Sequence, residues 1–300
     1  TKRESVRAMV EQVDARWGRL DILVNNAGLY AVLKPRETPW EIPDDEFDTV
    51  GGFLFGSLEH VPEVGESVVF EAWRFAAAEV NASDLEAIRE LIRDREIDIV
   101  INAVDPRYVM PIFLACELER VNYMDMAMSL SRPHPLLPHS EAGVKLGDEQ
   151  FARDWNWSER GIYALVGMGI EPGMSDVFAR YASDQLFSRL DQITVLDGSN
   201  LTVEGADFAP SFSIWTTIEE CLNPPLVWED GRGWFTTEPF SEPEIFDFPE
   251  GIGPVECVNV EHEEVVLIPQ KVDAKKVNFK YGLGAAFIDI LKTIHKLGMD

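Results

Sequence analysis

A six-residue pattern that occurs twice sets most of what this chain can fold into. Leu20-Asp21-Ile22-Leu23-Val24-Asn25 is echoed by Ile97-Asp98-Ile99-Val100-Ile101-Asn102. The apolar core of each run lacks polar alternation, so both faces need cover, as in strands of a parallel sheet. Each run follows a helical pattern. Val6, Met9, Val10, Val13 and Trp17 share one face ahead of the first, with Gly18 as the stop; Leu85, Ile88, Leu91 and Ile92 share one face ahead of the second. Helix alternating with buried strand is the mark of an α/β fold, and each strand ends in Asn on the side where open α/β sheets bind ligands. One Rossmann sheet needs only one such strand, so two imply pieces of two Rossmann proteins; an ordinary βα repeat is the alternative. Strand 20–24 is expected beside strand 97–103, covering its free edge.

The rest of the chain falls into segments of different character. Lys34 to Asp45 is a loop rich in Pro and acid; Gly51–Gly56 leads a short helix; Pro62–Glu66 makes a turn and Ser67–Val80 alternates like a hairpin. Ser83 with Glu86 predicts a capping box. Helices are expected near 109–120 and 149–159, strands at 121–125 and 162–166, and a polar loop between them over 129–148. A helix from Pro172 should turn Val177, Phe178, Tyr181, Leu186 and Phe187 inward. Residues 193–280 are strand-like and punctuated by Pro and Gly, which predicts a largely antiparallel sheet. A last helix carries Phe287, Ile290, Leu291, Ile294 and Leu297 on one face. The fold class is α/β: an incomplete Rossmann-like parallel sheet, with a mixed or antiparallel substrate domain inserted before the C-terminal helix.

Charge narrows the function. The chain has 53 acidic against 26 basic residues, a formal charge of −27. Phosphate backbones and anionic lipid surfaces need clustered Lys and Arg, so neither nucleic acid nor membrane is expected as a partner. No apolar run reaches the length of a span. Three widely spaced cysteines, Cys116, Cys221 and Cys257, cannot make a disulfide framework, and a reducing, cytoplasmic setting fits. A chain that opens at Thr1 within a packed helix–strand unit is expected to be truncated or recombined.

Three resemblances follow that division. Gly18-Arg19-Leu20-Asp21-Ile22-Leu23-Val24-Asn25-Asn26-Ala27-Gly28, continued by Ile42–Phe47, resembles the short-chain dehydrogenases/reductases, which assigns residues 1–50 to that family's sheet beside the cofactor. The family's Gly-rich first turn and catalytic Ser have no counterpart here, and Tyr30 with Lys34 matches its Tyr-x-x-x-Lys only by letter. Val50-Gly51-Gly52-Phe53, Pro62–Val68 and Trp73-Arg74-Phe75 resemble the transporter-associated domain of CorC/HlyC-type ion-efflux proteins, over residues 51–80. Residues 81–300 resemble the saccharopine dehydrogenase family, through Ile99–Val104 with Asp105-Pro106, Tyr123-Met124-Asp125, Gly167–Met174, Ser213–Glu220 and Pro254–Glu263. That resemblance implies a Rossmann-like core over 81–192 and 281–300, a β-rich substrate and dimerisation domain over 193–280, an NAD or NADP cofactor, and chemistry on a small amino-acid-like substrate. A homodimer through the β-rich domain is left open.

Candidate site residues come from both readings. Asn102, Ala103 and Pro106 stand at a strand's carboxyl end; by resemblance they line the nicotinamide ribose, and the other reading is a tight turn capped by Asp105. Asp125 faces the cofactor cleft or caps the next loop. Gly167 and Gly169 open Gly-x-Gly-x-x-x-Gly, with Asp197 ending the next strand. That arrangement imitates a dinucleotide turn but has one residue too many, a Glu171 carboxylate and a Pro172. Trp215, Thr216 and Thr217 offer the flat wall and donors of a substrate pocket, or else belong to core or interface. His134 and His139 lack a third ligand for a metal. His262 among Glu261, Glu263 and Glu264 fits an acid/base or metal ligand, but strand alternation favours a solvated face. No catalytic residue is assigned. The expected function is hydride transfer between NAD(P) and an amino or imino acid, with weak, millimolar dinucleotide binding because a Gly-rich phosphate turn is missing. The alternative is a recombined chain without catalysis.

Overall fold

The computed structural model describes residues 22–25, 67–70, 73–76, 80–198 and 214–297. The expected helix over 6–17, Tyr30, the loop over 34–45, the helix at 51–56, the turn at 62–66 and Ser213 lie outside them. The chain divides into two compact units: residues 1–104, 108–124 and 155–164 in the first, 105–107, 125–154 and 165–300 in the second.

In the first unit, β1 (Ile22–Asn25) pairs in parallel with a strand formed by the second copy of the repeated pattern. A short antiparallel hairpin, β2 (Ser67–Phe70) and β3 (Trp73–Ala76), stands where the sequence alternates. Then comes α1 (Leu85–Asp94), followed by β4 (Ile99–Asn102), the second copy itself. The two copies match residue for residue, Ile22 opposite Ile99 through Asn25 opposite Asn102, so strand 20–24 covers the edge of strand 97–103 as expected. The helix start differs from expectation. Asp84 is the cap, its Oδ1 accepting the Glu86 and Ala87 N–H groups at 3.1 Å each. Ser83 instead donates through its N–H and hydroxyl to Asn81 Oδ1. The helix begins one residue late, so Glu86 is free to pair with Arg89 at 2.6 Å.

Ile88 and Ile92 bury the inner face of α1. After the 3-10 turn Pro106–Tyr108, helix α2 (Val109–Glu119) buries Val109, Ile112, Phe113, Ala115 and Cys116. Arg89 and Arg93 both donate to Glu119, at 2.6 and 2.8 Å, and tie α1 to α2. β5 (Asn122–Asp125) follows. The expected helix over 149–159 is broken in two, α3 (Asp148–Phe151) and α4 (Asp154–Arg160), before β6 (Ala164–Leu165). The sheet order is β1-β4-β5-β6, a small Rossmann-like sheet. Phe113 packs against Tyr123 and Trp157 with ring centroids 5.2 and 4.7 Å away.

The second unit is built on a larger sheet. Helix α5 (Met174–Tyr181) leads through the π-turn Ala182–Leu186 to β7 (Ile193–Gly198). Then come α6 (Ile214–Leu222), β8 (Leu226–Glu229), β9 (Gly233–Thr236), β10 (Glu244–Phe248) and β11 (Gly253–Asn259). A short helix α7 (Glu264–Leu267), strand β12 (Lys276–Gly282) and helix α8 (Ala285–Leu297) close the unit. The order is β10-β11-β12-β8-β9, antiparallel, with β7 pairing in parallel on β12. β12 is the hub, and Val277, Asn278, Phe279, Lys280 and Tyr281 are all buried on its two faces. This is the larger, mainly antiparallel sheet expected before the final helix.

Three sequence expectations are corrected here. Trp215–Thr217 sit on a helix, not between strands. The large apolar residues of α5 and the turn after it do not face inward: Val177, Phe178, Tyr181, Leu186 and Phe187 are 56–64% exposed, and Ala179 is the buried residue of α5. Periodicity identifies a face but not whether anything covers it. In α8 the buried residues are Phe287, Ile288 and Leu291, packed with Leu222, Phe240 and Val258, while Ile290 and Leu297 are exposed. The last helix thus packs with residues of the β-rich sheet in its own unit.

Candidate active site: a buried imidazole among carboxylates

β11 ends at Asn259. Glu261 leaves the sheet, its N–H donating to the Glu220 carbonyl at 3.0 Å, and residues 263–267 wind into α7. Strand alternation therefore does not apply to Glu261–Glu264. All four side chains are buried, with His262 2% and Glu264 0% exposed. The solvated strand face expected from sequence is overturned, because the chain coils inward between the apolar Val260 and Val265.

His262 stacks on Phe279, with centroids 3.8 Å apart and planes within 6°. Its Nδ1 meets the Glu264 carboxylate, with Glu263 Oε2 at 3.4 Å. Nε2 lies 3.3 Å from the Tyr281 hydroxyl, which donates to Glu220 Oε2 at 3.2 Å. The carboxylates are held in turn. Ser175 donates to Glu264, Ser131 and Asn223 donate to Glu261, and the Met128 N–H donates to Glu263.

Burial opposes charge on the imidazole, but Glu264, Glu263 and Glu220 outweigh it and hold His262 up at about 10. Burial dominates for the acids. It raises Glu220 to about 8, against the pull of His262 and the Tyr281 hydrogen bond, and Glu261 to about 7, against Ser131 and Asn223. Glu171 is raised to about 8 by burial and by Asp197, and Asp176 to about 6 by burial and Glu264. His262, Glu263 and Glu264 present ligand atoms within 4.8 Å of one another. Nδ1 of the imidazole is already engaged by the Glu264 carboxylate.

Beside this cluster is a pocket with two kinds of wall. Pro106, Met128, Leu130 and Leu146 are apolar; Thr216, Glu219, Glu220, Glu261 and Glu263 are polar. Apolar walls with several carboxylates suit an alkylammonium group, whose methylenes lie on the first wall and whose charge meets the second. Of the sequence candidates, Pro106 and Thr216 line this pocket; Thr217 is buried on α6, which also carries Trp215. Sequence reasoning missed Glu219, Glu220 and Tyr281 and set His262 aside. The available signal was an unbroken Glu-His-Glu-Glu run flanked by valines, where a solvated face would carry more polar neighbours.

The remaining candidates make structural contacts. Asn102 is buried, its Nδ2 donating to the Tyr123 hydroxyl at 2.8 Å and its Oδ1 accepting the Val104 N–H. Ala103 follows it, half-buried. Asp105 accepts from the Arg107 backbone and guanidinium, as in the capped-turn reading. Asp125, 0% exposed, accepts from Gln150 Nε2 and the Gly167 N–H, both at 2.7 Å.

The turn at 167–173 does not fit a dinucleotide pyrophosphate. Such a site needs backbone N–H groups free to point at the phosphates. Here the Gly167 and Met168 N–H groups go to Asp125, Gly169 to the Pro172 carbonyl, Gly173 to the Asp176 carboxylate, and Met174 and Ser175 to the carbonyls of Gly169 and Ile170. Gly173 (φ 126°) is required by the turn itself, since a Cβ would sit 2.6 Å from the Gly169 oxygen. The Asp176 carboxylate, which holds the Gly173 N–H, would repel phosphate.

Fold and pocket define an α/β protein with a Rossmann-like sheet and a larger antiparallel one. The chain combines segments of three families. Residues 1–52 match the short chain dehydrogenase family, 36–90 the transporter associated domain, and 169–300 the saccharopine dehydrogenase C-terminal domain. It is similar to carboxynorspermidine synthase of Vibrio cholerae, 29% identical over 75% of this chain and 53% of that one. The same enzyme of Vibrio alginolyticus is 30% identical over 75% and 53%. The chain spans about half the length of these curated relatives. Among solved structures, saccharopine dehydrogenase (L-Glu forming) from Saccharomyces cerevisiae shares the fold, with a TM-score of 0.50 at 14% identity over 75% of this chain and 48% of that one. The chain is a distant homologue of saccharopine dehydrogenase-like oxidoreductases. Among the described residues no helix is long and apolar enough to cross a membrane.

Proposed function

We propose that this chain belongs to an oxidoreductase acting on an amino or imino acid, and that its second unit supplies the site for the substrate's cationic amine. The observation that carries this reading is the pocket lined by Glu219, Glu220, Glu261 and Glu263 together with apolar residues of the same unit. Carboxynorspermidine, in the relatives' name, combines a carboxylate with a polyamine, and the ammonium end of such a molecule suits this lining. In enzymes of this class a nicotinamide supplies the hydride; this chain supplies amine recognition through its carboxylates and orientation through its apolar wall. NAD or NADP is retained as the cofactor by homology, with weak affinity because the glycine N–H groups of the 167–173 turn are bonded within the protein.

Calorimetric titration tests the reading. Carboxynorspermidine is expected to bind, more weakly as salt rises, because salt screens the attraction between a polyamine and this strongly acidic chain. NADH and NADPH are expected to bind on the order of millimolar, about −4 kcal/mol. Failure of the amine to bind at low salt would sink the pocket assignment. Micromolar dinucleotide binding would overturn the weak-cofactor reading and point to a complete enzyme. The second reading, a chain that binds amine without turnover, is favoured by that same turn, and absence of NADPH oxidation despite amine binding would support it. A homodimer through the β-rich unit remains part of the proposal, read out by light scattering.

A further inference from the structure

The pocket has an inner layer that the amine reading does not use. Tyr281 on β12 stands between His262 and Glu220 on α6, its hydroxyl 3.3 Å from Nε2 and donating to the carboxylate at 3.2 Å. Tyr281 and His262 are 4% and 2% exposed, while the Glu220 carboxylate lines the pocket. We propose that Tyr281 and His262 are positioning residues for Glu220: the phenol bridges a buried imidazole ring to a pocket carboxylate, and so sets from behind the wall how readily Glu220 carries the charge that holds an ammonium ion.

This inference rests on the amine reading of the pocket. Its chemistry is a linkage between proton and cation. An empty pocket places the carboxylates of Glu220, Glu261 and Glu263 near one another, and their mutual repulsion favours keeping a proton on one of them. An entering ammonium favours ionised Glu220, so the cation displaces a proton. The imidazolium shifts that exchange towards the charged carboxylate, and the hydroxyl donates to the ionised oxygen. Tyr281 itself stays a neutral donor, since burial, Glu220, Glu171 and Asp197 all push its ionisation up. His262 is kept charged by Glu264 and Glu263, with Glu220 adding to them. Glu171 and Asp176 also face the imidazole.

The decisive variant is Tyr281→Phe, which keeps the ring packed on Phe279 and removes only the hydroxyl. Carboxyl-carbon NMR titration of the full chain should place the Glu220 midpoint at about 8 in the wild type. In the variant it should move up by about one pH unit, tenfold in proton affinity. His262→Gln should move it in the same direction. Titration with 1,3-diaminopropane at neutral pH should release fewer than one proton per cation bound in the wild type, seen as a dependence of the heat on buffer ionisation. Binding should weaken about tenfold in Tyr281→Phe. A Glu220 midpoint unmoved in a Tyr281→Phe protein with wild-type circular dichroism would overturn the inference. If His262→Gln does not fold, Tyr281→Phe alone decides. If the diamine binds neither protein, the amine reading fails, while the NMR midpoint still judges the bridge.

Discussion

Asp125 illustrates how one side chain looks functional in sequence and structural in the fold. It ends a strand on the ligand side of the sheet, yet its two oxygens are taken by Gln150 and the Gly167 N–H. Replacing it by Ala strands two buried donors, so Asp125→Ala is expected to cost about 3 kcal/mol, and Asp125→Asn less because one acceptor survives. Urea denaturation of the two variants measures the difference; an Ala variant as stable as wild type would refute this role. Gly173 is similar, since a phosphate turn and a closed turn both require glycine, and only the hydrogen-bond partners distinguish them.

Helix α5 shows the same limit one level up. Its sequence spells an apolar face, and the structure leaves Val177 and Phe178 more than half exposed. Val177→Ser and Phe178→Ser are therefore expected to change monomer stability by less than about 0.5 kcal/mol, as surface positions do. Phe279→Ala on β12, where the ring is fully buried under His262, should cost about 3–5 kcal/mol. Thermal unfolding compares the three. A large loss for the α5 variants, together with loss of a dimer in light scattering, would show that a second copy covers this face. The strands show the opposite case. The paired runs Leu23–Asn25 and Val100–Asn102 are legible because a parallel neighbour demands continuous apolar sequence, and the structure pairs them in register.

Across the whole molecule, the buried ionisable groups give stability a direction with pH. Glu171, Glu220 and Glu261 bind their protons more tightly folded than unfolded, at about 8, 8 and 7, and His262 does so at about 10. Each raised group contributes fully below its unfolded value and loses that contribution as pH rises to its folded value. The carboxyl window runs from about 4.5 to 8 and the histidine window from about 6.5 to 10. Stability should therefore fall as pH rises, most steeply where the windows overlap, by up to about 1.4 kcal/mol per pH unit for each proton released. Melting temperatures at pH 6 and 9 check this, and a flat or rising profile would contradict the buried cluster. By itself the sequence determined the local order of helix and strand, the paired strands, the β-rich stretch and the acid excess, because periodicity and composition are local properties. Only the tertiary structure decided that Glu261–Glu264 turn inward, that Glu219 and Glu220 share a pocket with Pro106 and Met128, and that the glycine N–H groups of the 167–173 turn are bonded within the protein. Those features depend on which distant segments pack against a residue, and burial, not residue type, then sets its charge and its chemistry.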